Sequence, residues 1–112
     1  CSYTIIRTWT ATDNCGNTET ASQTLTVTDP TDPSLVGVPA DVTVECDAIP
    51  VAPTVMGMDN CDMNVSVSFG EEVSEGCPYT ITRTWTAEDN CGNTYSQSQI
   101  ITVIDTTYPV LY

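Results

Sequence analysis

Cysteine and aspartate are the residues of this chain that could do chemistry, and both recur in the same local setting. Six Cys stand at positions 1, 15, 46, 61, 77 and 91 of 112 residues. Cys15, Cys61 and Cys91 each follow an Asp-Asn pair. The chain has no His, and no two Cys stand three positions apart as in a zinc knuckle, so a zinc site lacks its usual ligand pattern. Disulfides suit thiols at these spacings, and they imply an oxidising, extracytoplasmic setting.

Carboxylates are the second candidate. Asp13, Asp59, Asp62 and Asp89 lie in turn-forming sequence, and Asp29, Asp32 and Asp41 flank a Pro-containing stretch. Turn carboxylates and carbonyls can converge on a hard cation, and calcium is the ion they would take. The alternative is that Asp and Asn cap turns without metal. The spacing matches no EF-hand loop, and nothing in the sequence requires a cofactor. Two modification sites can be read: Asn64-Val-Ser66 is an acceptor sequon, and Asp105-Thr106-Thr107 resembles an O-linked acceptor. The only cations, Arg7 and Arg83, sit among apolar residues. That placement predicts stacking on Trp and pairing to a carboxylate, Glu45 or Glu71 for Arg83.

Composition excludes several classes. Two Arg, no Lys and 15 Asp plus Glu give a formal charge of −13. Nucleic acid and anionic membrane surfaces both need the cations this chain lacks. No apolar run approaches the ~18 residues of a membrane span. With no His, no G-x-S-x-G elbow, no Gly-rich phosphate loop and dispersed carboxylates, no enzyme signature is present.

The elements that must position these groups are strands. Tyr79 to Ala87 alternates, with Tyr79, Ile81, Trp85 and Ala87 on one face and Thr80, Thr82, Thr84 and Thr86 on the other, the period of a half-buried strand. Asp89-Asn-Cys-Gly-Asn93 follows as a turn, and Gln99 to Ile104 returns. The outward Thr row could carry sugars or form a flat face of the ice-binding kind; a solvated strand face is the plainer reading. Asp41–Cys46, Thr54–Met58 and Asn64–Phe69 read as further strands, and no helical period appears. Five to seven strands with frequent turns predict a small antiparallel sandwich.

The hairpin occurs twice. Residues 1–35 and 77–111 are identical at 23 of 35 positions. Such copying marks a repeat protein. It divides the chain into the C-terminal half of one unit, 1–33, and a complete unit, 34–112, with linkers at 29–33 and 105–109 that Pro stiffens. On this reading the chain is a window on a longer polymer. Up-and-down alternation places Cys46 with Cys77 at one end of the sandwich and Cys61 with Cys91 at the other. It predicts those two bridges, and leaves Cys1 and Cys15 to an upstream segment or a neighbouring chain. Each bridge would close a loop of about 30 residues, worth roughly 3–4 kcal/mol to a unit too small to be comfortably stable alone.

Thr84-Trp-Thr-Ala-Glu-Asp-Asn-Cys-Gly-Asn-Thr94 and Ile101-Thr-Val-Ile-Asp-Thr-Thr-Tyr-Pro109 resemble the closing half of hyalin-type repeat modules, with their T-A-x-D-x-x-G-N hairpin and V-x-D-x-x-x-P exit. Val38-Pro-Ala-Asp-Val-Thr-Val-Glu-Cys46 resembles the opening P-x-D-x-T-V segment. With the added Asn-Cys pairs, the chain is most similar to tandem repeats of large Bacteroidetes surface adhesins, gliding-motility adhesins among them. The resemblance implies tandem immunoglobulin-like sandwiches in an extended rod, exported to the bacterial cell surface for adhesion or matrix formation, without catalysis. The function expected is a stalk or fibre repeat giving reach and rigidity, its partners neighbouring repeats or protomers and, through modification, glycans. One alternative is a self-assembling filament subunit that exchanges strands between protomers. Another is a carbohydrate-binding module, for which Tyr95, Tyr108 and Tyr112 are available.

Overall fold

The alternating segments form strands, and among the described residues nothing else regular. The structure, a computed structural model, describes residues 2–111. Eight strands follow in chain order: β1 (Tyr3–Thr12), β2 (Thr18–Val27), β3 (Ser34–Val36), β4 (Val42–Glu45), β5 (Met56–Met58), β6 (Ser66–Val73), β7 (Tyr79–Glu88) and β8 (Thr94–Ile104). The chain is all-β. It divides into two compact units, Cys1–Pro30 and Thr31–Tyr112.

The first unit is a single antiparallel hairpin. β1 pairs with β2 from Tyr3 opposite Val27 to Thr12 opposite Thr18. Its ten-residue strands carry Tyr3, Ile5, Trp9 and Ala11 on one face, as period two requires. That face stays wet: Tyr3 and Trp9 are each 57% exposed.

The second unit builds a core over the same kind of hairpin. Its main sheet has the order β4-β8-β7-β6. β7 and β8 pair from Tyr79 opposite Val103 to Glu88 opposite Thr94, and β6 adds to β7 with Phe69 opposite Trp85 and Glu71 opposite Arg83. β3 and β5 pair into a separate two-stranded sheet. β3 lies against β7 and β8, and β5 against β6. The inward residues Ile81, Trp85, Ala87, Ile101 and Val103 are buried, and Val44, Ile49 and Tyr79 pack around Ile81, Ile101 and Val103. Close layering depends on Gly57 in β5: a Cβ there would meet Val65 Cγ1 at 2.5 Å. Trp85 meets Phe69 with ring centroids 5.3 Å apart.

Two expectations are corrected. The sandwich is not wholly antiparallel, because β4 runs parallel to β8, with Val42 opposite Ile101 and Glu45 opposite Ile104. Alternation fixes which side chains face inward but not strand direction. The second layer is also slighter than expected, two strands of three residues each.

The parallel strand also explains the cysteines. Cys46 follows β4 and Cys77 precedes β7, so the register brings both to the same end of the sheet, as expected. Yet β8 stands between β4 and β7. Two strand spacings are about 10 Å, beyond the ~7 Å that a disulfide spans between Cα atoms. Cys46 and Cys77 are exposed thiols and the Cys46–Cys77 bridge is not formed. The turns that carry Cys61 and Cys91 meet at the other end of the sheet through a carboxylate and an amide, described below. Cys15 is an exposed thiol, and Cys1 lies outside the described residues.

Candidate functional site

Polar chemistry in this chain gathers at two places, the hairpin turns and the inner face around Arg83. The turn is built the same way twice. Asp13 Oδ1 accepts from the backbone N–H of Cys15 and of Asn17, both at 2.9 Å, and Asp13 Oδ2 accepts from Asn17 Nδ2 at 2.8 Å. Asp89 makes the equivalent bonds to Cys91 N, Asn93 N and Asn93 Nδ2 at 2.8, 3.0 and 2.9 Å. Gly16 and Gly92 close these turns at φ of 84° and 81°, a region that favours Gly. The repeated Asp-x-Cys-Gly-Asn motif is thus a carboxylate clamp on a hairpin turn. In the exposed copy the Asn17 side-chain amide, with the turn's backbone N–H groups, holds the Asp13 carboxyl below its ordinary range.

The other expected cation ligands are engaged similarly. Asp59 Oδ2 accepts from Cys61 N and Asp62 N. Asp62 is buried; its Oδ1 accepts from Asn64 N at 2.8 Å and its Oδ2 from Asn90 N at 2.9 Å. That second bond ties the Cys61 turn to the Cys91 turn, so the two meet at the sheet end the sequence assigned them, through carboxylate and amide. Asp41 Oδ1 accepts from Ile100 N at 2.8 Å and so sits beside β8, not at a linker site. Asp29 is half-buried and Asp32 exposed. Asp62 and Asp89 stand at one end of β8, while Asp41 lies against its middle.

The inner face holds the buried cation. Arg83 is 5% exposed. Its Nε donates to Glu71 Oε2 at 3.0 Å and its Nη2 to the Pro50 carbonyl at 2.8 Å. Of the two carboxylates expected, Glu71 is the partner, and it is partly exposed. Trp85 packs on Phe69, its neighbour across β6. Gln99, directly opposite Arg83 on β8, donates from Nε2 to the Ala40 carbonyl at 2.9 Å. Sequence reasoning missed Gln99 and Pro50. The signal for Gln99 was present, since Gln23 faces Arg7 in the other copy.

The remaining candidates are dispersed. Asn64 is exposed just before β6. Thr106 donates from both N and Oγ1 to the Glu45 carboxylate, which pins the 105–109 stretch beside β4. An acidic cleft of about 490 Å³ lies there, lined by Glu45, Asp47, Asp105 and Tyr108 among others. Tyr95 begins β8 and Tyr108 follows its far end, so these two aromatics form no common platform; Tyr112 lies outside the described residues. On the outer face, hydroxyls pair across β7 and β8: Thr84 with Ser98 at 2.9 Å and Thr86 with Ser96 at 2.8 Å. The same pairs recur at Thr8 with Ser22 and Thr10 with Thr20.

These features describe a chain whose polar side chains mostly hold its own backbone. Residues 34–103 match the family described as HYR-like domain with 4 cysteines. That span covers more than half of the chain, and the chain belongs to this family. No curated protein matches it.

Proposed function

We propose that this member of the HYR-like family is a structural repeat in the stalk or fibre of a bacterial surface adhesin. The observation that carries the reading is the copied hairpin: strand, clamped turn and return strand recur at an offset of 76 residues, with the same cross-strand hydroxyl pairs and the same Arg opposite Gln. A chain that repeats its scaffold works by reach and multiplicity. The family match, the acidic charge and the six Cys support an extracellular, immunoglobulin-like module placed in series as a rod, its partners neighbouring repeats of the same protein. We assign it no catalysis and no required cofactor, because the turn carboxylates already serve as clamps; a calcium ion, if bound, would add to them. Glycans at Asn64 or Thr106 would decorate the surface of such a stalk.

The test is location and length. An antibody against residues 34–112 should label intact, unpermeabilised cells. Removing whole 76-residue repeats from the parent protein should draw a tip label closer to the cell in proportion. Labelling only after permeabilisation contradicts the surface assignment. A tip distance unchanged by repeat number contradicts the stalk.

A further inference from the structure

Two buried polar atoms on the inner face of the second unit take no partner among the described residues, and they are complementary in kind. Arg83 is 5% exposed and Gln99 2%. Arg83 Nη1 is a donor and Gln99 Oε1 an acceptor, and neither is hydrogen-bonded to the chain. The two residues stand directly opposite each other on β7 and β8. Their neighbours on that face are apolar. Ile81 and Trp85 flank Arg83 along β7, Ile101 follows Gln99 along β8, and all three are buried. Polar atoms left unmet in such surroundings carry their full desolvation cost.

The rest of both side chains is committed. Arg83 Nε and Nη2 are held by Glu71 Oε2 and the Pro50 carbonyl, and Gln99 Nε2 by the Ala40 carbonyl. Turning the guanidinium toward Gln99 would break the first two bonds, and moving the amide toward Arg83 would break the third. The amide orientation follows from that third bond, because a reversed amide would set Oε1 against the Ala40 carbonyl oxygen. A ligand that serves both atoms must accept from Nη1 and donate to Oε1. An anion cannot donate, and a metal cation would sit against the guanidinium charge. A hydroxyl does both, and only the smallest such species fits between facing residues whose Cβ atoms are about 5 Å apart. We propose that a single ordered water is a built-in ligand of this module, bridging Arg83 Nη1 and Gln99 Oε1. It joins the Glu71–Arg83 ion pair of β6 and β7 to the amide on β8. Ala40 and Pro50 lie before and after β4, so the bridged network holds both flanks of that parallel strand. Immobilising one water costs less than leaving a charged donor and an amide oxygen bare, and interior waters characteristically satisfy such groups. Nothing in this site depends on the repeat reading or on a surface location.

The test counts waters in the full chain. Oxygen-17 relaxation dispersion of the solvent reports waters held for longer than the protein takes to tumble. Gln99→Leu removes the acceptor at nearly constant size and should leave about one long-lived water fewer per chain. Gln97→Leu, at an exposed position two residues away on β8, should leave the count unchanged. Gln99→Leu also gives up the Ala40 bond, so a crystal structure of the unaltered chain, at a resolution that shows ordered solvent, decides the matter without a variant. The expected result is one solvent peak within hydrogen-bonding distance of both Nη1 and Oε1. Density that sets Nη1 directly on Oε1, or that shows no solvent between them, overturns the proposal. So does a folded Gln99→Leu chain with an undiminished count. None of these outcomes bears on whether intact cells carry the repeat, and a failed surface label leaves the water count standing.

Discussion

The two hairpins of this chain are near copies in sequence and in register, yet one is dry and the other wet. Both have long antiparallel strands, the same Asp clamp at the turn and hydroxyl pairs on the outer face. The difference is cover: β7–β8 has β6, β4 and the β3–β5 layer against it, and β1–β2 has no counterpart among the described residues. Local sequence therefore suffices for the hairpin's shape and register, while the core is made by what packs on it. An isolated two-stranded ribbon is marginal in water, so the stability of the second unit must come from the cover.

That comparison can be broken by substitutions made at paired positions. The largest effect is expected at Trp. Trp85→Ala should lower the unfolding free energy of the second unit by about 3–5 kcal/mol, and Trp9→Ala should leave it within about 0.5 kcal/mol, as read by chemical denaturation. Next is the ion pair. Glu71→Ala leaves Arg83 buried beside one carbonyl and should destabilise by roughly 2 kcal/mol, discounted because Glu71 is partly exposed. Arg7→Ala should change nothing measurable. Gly57→Ala comes third, at about 1–3 kcal/mol, because the added Cβ overlaps Val65; its effect confirms that β5 lies close on β6. The smallest effect is a titration. The Asp13 carboxyl has a lowered pKa, so its clamp is complete above the pKa of an unfolded Asp and is lost only as pH falls through its own lower value. A carboxyl-carbon NMR titration should find Asp13 below the range of an unclamped Asp, and Asn17→Ala should move it back up.

Much of this was legible in sequence, for identifiable reasons. Alternation in Tyr79–Ala87 named the buried face, and Ile81, Trp85 and Ala87 are all buried. Arg83 was expected on that face beside Glu71 or Glu45, because a lone cation among apolar residues needs a carboxylate. The clamp turn was visible as Asp, Gly and Asn at fixed offsets. Strand direction was not, since Val42–Glu45 reads the same whether parallel or antiparallel to β8, and nor was strand order, which sets β8 between β4 and β7 and so separates Cys46 from Cys77. β3 escaped notice because three residues carry too little alternation to recognise. The outward Thr row could be read as a face, but not the hydroxyl pairs it makes, which depend on register.

The central claim is that cover, and not hairpin sequence, makes the core. Hydrogen exchange on the intact chain tests it most directly, because both hairpins report from one sample. The account predicts that cross-strand amides in β7 and β8 exchange at least about a hundredfold more slowly than their equivalents 76 residues earlier. Equal protection of the two hairpins in the isolated, monomeric chain would contradict it.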